Sequence, residues 1–72
     1  MKSIYSSEAQ VLAGKLLKAR ENAHFSQKEV AELLGHSQSY VSKIEAGQIR
    51  LDVIQLKKLA RLYNVKLSIF MD

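Results

Sequence analysis

At four places in the chain a short oxygen-bearing side chain stands where a helix can begin, and little sequence separates one helical stretch from the next. Ser7 is followed three residues on by Gln10, Ser26 by Glu29 and Asp52 by Gln55. At that spacing a cap and a returning Glu or Gln side chain satisfy each other's backbone donors. Ser37 supplies the fourth start, two residues after Gly35, which is suited to ending the preceding helix in the left-handed region. The chain is thereby directed toward a string of short helices joined by tight turns.

The apolar spacing agrees. Leu12, Leu16, Ala19 and Ala23 recur at helical intervals in the first segment, Val30, Leu33 and Leu34 in the second, and Val53, Leu56, Leu59, Ala60 and Tyr63 in the fourth. Helices are expected near 7–23, 27–34, 38–46 and 53–63. Past Asn64, which reads as a helix stop, "VKLSIFMD" fits either a short fifth helix or, from its "KLSIF" alternation, a brief strand. No long stretch alternates with period two, and there is no internal repeat or low-complexity segment, so the expected fold class is all-α.

With 72 residues, 47% of them hydrophobic and no proline, the chain reads as a single small domain over residues 1–72. Its core is at the small end of what folds unaided, so a partner chain bears on its stability. The absence of cysteine excludes disulfide scaffolds, thiol chemistry and cysteine-ligated zinc. No apolar run approaches the roughly 18 residues of a membrane span, and "MKSIYSSEAQ" lacks the apolar core and cleavage site of a signal peptide. A cytoplasmic location is expected, with no membrane partner.

The formal charge of +4 suits a nucleic-acid partner. Its distribution does not follow the segment where recognition would be sought. Residues 26–50 set Lys28, Lys43 and Arg50 against Glu29, Glu32 and Glu45 and are neutral. The excess lies in Lys2, Lys15, Lys18 and Arg20 early on and in Lys57, Lys58, Arg61 and Lys66 late. A case for DNA must rest on residue type and spacing.

That case lies in "HSQSYVSKIEAG", residues 36–47. Only Gly35, His36 and Ser37 separate the second and third helices, a turn length that sets two helices at a steep angle. At about 100° per residue, Val41 and Ile44 share one side of the third helix. Ser39, Ser42 and Lys43 take the other, with Gln38 and Tyr40 at the margins. An ordinary solvated face favours Glu and Lys, which are better helix formers. Short hydrogen-bonding groups suit a face that meets a surface, since Gln can bond an adenine edge bidentately and Ser can hold a base or a phosphate.

The segment "FSQKEVAELLGHSQSYVSKIEAGQIR", followed by "LKKLARLYNV", resembles the helix-turn-helix of the lambda-repressor and Cro type, the family also called Xre. The resemblance spans about Val11 to Phe70. It implies a compact five-helix domain, with the helix-turn-helix near 26–46, that binds operator DNA as a dimer. It implies that Gln27 contacts phosphate at a helix N-terminus and that Gln38 reads a base, braced by Gln27. Ser39, Tyr40, Ser42 and Lys43 match positions that family members vary with operator sequence, Ser37 matches a cap and phosphate donor, and Arg50 falls in a loop that approaches the backbone. The resemblance also pairs Arg20 with Glu45 as a structural ion pair. Two positions depart from the family's pattern: His24 stands where glycine is common and implies a positive φ, and Leu51 replaces a frequent proline, which implies a different path for the loop over residues 48–52.

Other chemistries find little support. His24 and His36 have no cysteine or carboxylate cluster near them in sequence, so no metal and no cofactor is expected. "AGKLLK" lacks the glycine spacing of a phosphate loop. Tyr40, Ser42 and Lys43 would need a base and a water-excluding pocket to act as nucleophiles, so no enzyme activity is expected, and no small-molecule ligand is evident.

Ile54 and Leu62 on the fourth helix, with Ile69, Phe70 and Met71 at the end, are apolar residues left over by the helix pattern. They suggest either a homodimer interface within about 51–72 or simple core filling, with Ile4 and Tyr5 packing alongside. Two functions remain in view. One is a sequence-specific transcriptional regulator, a repressor at a palindromic operator. The other is a protein-interaction module or antitoxin or controller subunit acting through its C-terminal apolar surface.

Overall fold

Five helices follow one another among residues 7–71, which the computed structural model describes: α1 (Ser7–Asn22), α2 (Gln27–Leu34), α3 (Gln38–Glu45), α4 (Val53–Tyr63) and α5 (Ser68–Met71). The fold is all-α. The terminal stretch left open between helix and strand is helical over Ser68–Met71, and the two expected ends at 23 and 46 each fall one residue earlier.

The helix starts follow the caps. Ser26 and Glu29 form the complete reciprocal box: Ser26 Oγ accepts from the Glu29 N–H at 3.0 Å and Glu29 Oε1 accepts from the Ser26 N–H at 2.8 Å. Ser37 Oγ accepts from the Tyr40 N–H at 3.2 Å and Asp52 Oδ1 from the Gln55 N–H at 2.8 Å. Ser7 departs from expectation because it is already the first helical residue of α1. Gln10 does not return to it, and instead its Nε2 donates to the Ala46 carbonyl at 3.3 Å, tying the start of α1 to the end of α3.

The first four helices end in the same motif. His24, Gly35, Gly47 and Asn64 all have φ between 57° and 74°. At each, the residue after the left-handed one donates back across the last turn: Phe25 to Arg20, His36 to Ala31, Gln48 to Lys43 and Val65 to Ala60. Such an end reverses the chain within a few residues, which is why the helices can stack around one core. His24 does adopt the positive φ that its place in the sequence implies.

That core joins Leu16 and Ala19 of α1, Val30 and Ala31 of α2, Val41 and Ile44 of α3, Leu56, Leu59, Ala60 and Tyr63 of α4, and Phe70 of α5. α2 packs on α3, and α1 runs behind against α3, α4 and α5. Leu33, expected inside, is 60% exposed, and Val53 is exposed as well. In α2 the inward side is taken by Val30 and the small Ala31, which allow a neighbouring helix to come close, and this turns Leu33 outward. Of the two expectations for Phe70, dimer surface or core filling, the second holds: Phe70 is 4% exposed, because α5 folds back onto α1 and inserts the ring into the monomer core. Leu62 is partly buried against the same core. The expected packing of Ile4 and Tyr5 lies outside the described residues.

Candidate nucleic-acid interface

α3 is anchored from within and free on its outer side. Val41 and Ile44 point into the core, while Gln38, Ser39, Ser42 and Lys43 are exposed. Among the described residues none of these four side chains has a hydrogen-bond or ion-pair partner. Their polar heads are available to something outside the chain. Ser37 precedes them as the cap, exposed and already accepting from the Tyr40 N–H.

The far end of α3 is held by an ion pair. Arg20 Nε donates to Glu45 Oε2 at 2.7 Å and Nη2 donates to Oε1 at 3.1 Å, a bidentate fork whose side chains are only 12% and 4% exposed. Arg20 Nη1 donates to the Phe25 carbonyl at 2.7 Å, closing the turn between α1 and α2. The hydrogen bond to Glu45 holds the Arg20 pKa above its usual value, against the opposing pull of burial. Beside the pair, burial pushes the Tyr63 phenol up to about 12, with the Glu45 carboxylate adding to the shift, so Tyr63 is neutral here. Its ring leans on Phe25, with centroids 6.4 Å apart.

Two side chains expected at the interface are partly committed to the protein itself. Gln27 was expected to brace Gln38. Its Nε2 instead donates to Glu45 Oε1 at 3.0 Å, because the start of α2 lies beside the end of α3 and the carboxylate is the stronger acceptor within reach. Tyr40 is half-buried, its ring stacked on His36 at 4.0 Å and its hydroxyl accepting from Gln55 Nε2 at 2.8 Å. The Gln55 bond was invisible in the sequence, where Gln55 reads as the returning half of a capping box. Finding it requires knowing that the first turn of α4 passes Tyr40.

Arg50 is exposed in the loop between α3 and α4, and Leu51, in the place of the missing proline, packs partly against the core. Gly47 opens this loop and lies under the Gln10 side chain. Ile54, Ile69 and Met71 are exposed apolar residues, and Val11 on α1 joins Met71 at one groove and Ile69 at another. Among the described residues no group of three or more metal-ligating side chains comes together, and no helix is long and apolar enough to cross a membrane.

Known proteins resemble the chain both in sequence family and in solved structure. A family model described as Helix-turn-helix matches residues 16–70, well over half of the chain. The crystal structure of the restriction-modification controller protein C.AhdI from Aeromonas hydrophila is similar, with a TM-score of 0.79 at 25% identity, over 89% of this chain and 93% of that one. No curated protein matches.

Proposed function

The chain belongs to the helix-turn-helix family of the lambda-repressor and Cro type, whose members are DNA-binding transcriptional regulators, and from that premise we propose a repressor that binds a palindromic operator as a homodimer. The observation that carries this reading is the outer face of α3. Gln38, Ser39, Ser42 and Lys43 are exposed and unpartnered on a helix whose other contacts immobilise it. Gln38 reads a base edge in the major groove, Ser39, Ser42 and Lys43 contact neighbouring bases or phosphates, and Ser37 and Arg50 hold the backbone. Gln27 contributes from the N-terminus of α2, where the dipole favours a phosphate, with its amide shared with Glu45. Tyr40 contacts the DNA from its fixed position at the flank of the same face. The site binds and performs no chemistry, with no cofactor or metal and no small-molecule ligand.

In this reading residues 1–72 act as one domain in the cytoplasm, with a dimerising region in about 51–72. A single domain measuring 37 × 25 × 21 Å presents one recognition helix. A second copy related by a twofold axis places another about one DNA turn away, roughly 34 Å. Ile54, Ile69 and Met71 supply an apolar surface for that contact. The structural likeness to a restriction-modification controller supports a regulator of this compact build.

Selection of bound duplexes from a randomised pool at moderate salt tests the proposal. Enrichment of an inverted repeat is expected, and a folded protein that enriches nothing would contradict it. The exposed apolar residues, together with the neutral charge of residues 26–50, favour a second reading as a protein-interaction module. Binding to DNA that weakens steeply with salt supports the first, because each neutralised phosphate releases counterions, and DNA binding that is absent even at low salt supports the second.

A further inference from the structure

The Tyr40 hydroxyl forms a polar link between α3 and α4. Gln55 Nε2 donates to it at 2.8 Å, and among the described residues this is the hydrogen bond that links α3 to α4. Gln55 itself projects from a fixed turn, since its N–H is taken by the Asp52 cap. On the other side the Tyr40 ring lies 18° from parallel to His36. The joint sits over Leu34, Ile44, Leu51 and Leu59, in a cleft of about 40 Å3 with Lys58 at its edge. That volume holds about one water and no ligand, so the cleft is a packing joint.

The position of this joint matters because the two ends of α3 are held unequally. The last turn has the Arg20–Glu45 fork and Gln27. The first turn, which carries Gln38 and Ser39, has Ser37 capping its own backbone and Val41 packed in the core, and among the described residues its one side-chain hydrogen bond to another helix is the one at Tyr40. Base reading by hydrogen bonds works over a narrow distance range, about 2.7 to 3.2 Å, so a small tilt of the first turn is enough to lose it.

We propose that Gln55 is a specificity-determining positioning residue. By holding the Tyr40 hydroxyl it sets the first turn of α3 at one depth relative to α4, so the preferred sequence depends on a side chain that touches no base. The inference rests on the proposed reading of bases by Gln38 and Ser39. The bond occupies one lone pair of the hydroxyl and leaves its O–H free to donate. A Tyr40 that acted only through a phosphate would affect all sequences alike.

The test compares wild type with Gln55→Leu, Tyr40→Phe and the double variant. Affinities are measured for a duplex enriched from a random pool and for its single-base-pair variants, with melting temperatures alongside. Leu keeps bulk in the cleft and Phe keeps the ring on His36, so neither change leaves a large void. Each single variant is expected to lose about tenfold in discrimination at the base pairs beneath the first turn of α3, the scale of one hydrogen bond. The double variant should lose no more than either single one, as residues acting through one bond do. Gln55→Glu, whose carboxylate accepts from the Tyr40 O–H, should keep the discrimination while binding every duplex more weakly near the phosphates. A lowered melting temperature with discrimination intact, uniform weakening in Tyr40→Phe, or additive losses in the double variant overturns the proposal. A wild-type protein that discriminates among no duplexes would remove base reading and this inference together, and that outcome is recognised before any variant is made.

Discussion

Arg20 and Glu45, 25 positions apart, meet as fork and carboxylate at 2.7 and 3.1 Å, with Gln27 on the same carboxylate at 3.0 Å and the Phe25 carbonyl on the remaining guanidinium nitrogen at 2.7 Å. One ion pair therefore ties together the end of α1, the turn after it, the start of α2 and the end of α3. In charge counting alone Arg20 belongs to the early basic group. In the structure its charge is spent inside the protein, where it fixes the helix that carries the outward polar face.

Removing one partner leaves the other buried and uncompensated. Arg20→Ala is expected to destabilise the free protein by about 3 kcal/mol or more, which for a domain of this size lowers the melting temperature by more than about 10 °C. A thermal melt followed by circular dichroism, without DNA, reads this. An unchanged melting temperature with lost DNA binding would instead make Arg20 a contact residue.

Two groups give stability a defined pH dependence. Tyr63 has its folded pKa raised from 10.0 to about 12, so its contribution is fully present below pH 10 and is lost as pH rises toward 12. Glu29 is shifted the other way, below 4.5, by its hydrogen bonds to the Ser26 N–H and then the Ser26 hydroxyl. Its contribution is present above pH 4.5 and is lost as pH falls through the lowered value. Denaturant melts across pH should show Tyr63→Phe flattening the alkaline slope and Glu29→Gln, which retains a capping acceptor, flattening the acid one. Slopes identical to wild type in both variants would exclude this assignment.

The glycines separate backbone strain from steric contact. Gly35 and Gly47 both have positive φ, but a Cβ on Gly35 meets nothing within 4 Å, whereas on Gly47 it would stand 2.7 Å from Gln10 Nε2. Gly35→Ala should cost about 1 to 2 kcal/mol from the left-handed backbone alone. Gly47→Ala should cost more, because Gln10 must also give up the Ala46 carbonyl. Gly14, exposed in mid-helix with open space around it, should tolerate alanine and gain roughly 0.5 to 1 kcal/mol. Equal losses at 35 and 47 in equilibrium unfolding would refute the steric part.

What could be read from the sequence was mostly local. The caps at Ser26, Ser37 and Asp52, the left-handed end at Gly35 and the helix stop at Asn64 depend on residues within a turn or two of each other, and the structure has them in place. What could not be read depends on which helix lies beside which. Hydrophobicity ranks Leu33 above Ala31, yet Ala31 is buried and Leu33 exposed, because close helix approach selects for size. Phe70 looked like spare surface until α5 folded onto α1, and Gln27 reached Glu45 where a brace for Gln38 was expected. The outward polar face of α3 was legible because it needs only the helical period and the burial of Val41 and Ile44.

The apolar residues near the C-terminus now divide into two kinds. Phe70→Ala opens a core cavity and should cost about 3 to 5 kcal/mol. Ile54, 62% exposed, should tolerate lysine with little loss of monomer stability, while self-association weakens. Sedimentation at several protein concentrations checks this. A dimer that survives Ile54→Lys together with Met71→Lys would place the proposed interface elsewhere.

Base reading by the outer face of α3 is tested most directly by selecting duplexes from one random pool with wild type and with Gln38→Ala in parallel. If Gln38 reads a base edge, the two enriched sequences differ at a single position in each half of the repeat, and wild type prefers its own site by about 1 to 3 kcal/mol at that position. If the variant enriches the same sequence with all affinities reduced alike, Gln38 supports the helix without reading the DNA, and the central role given to this face is wrong.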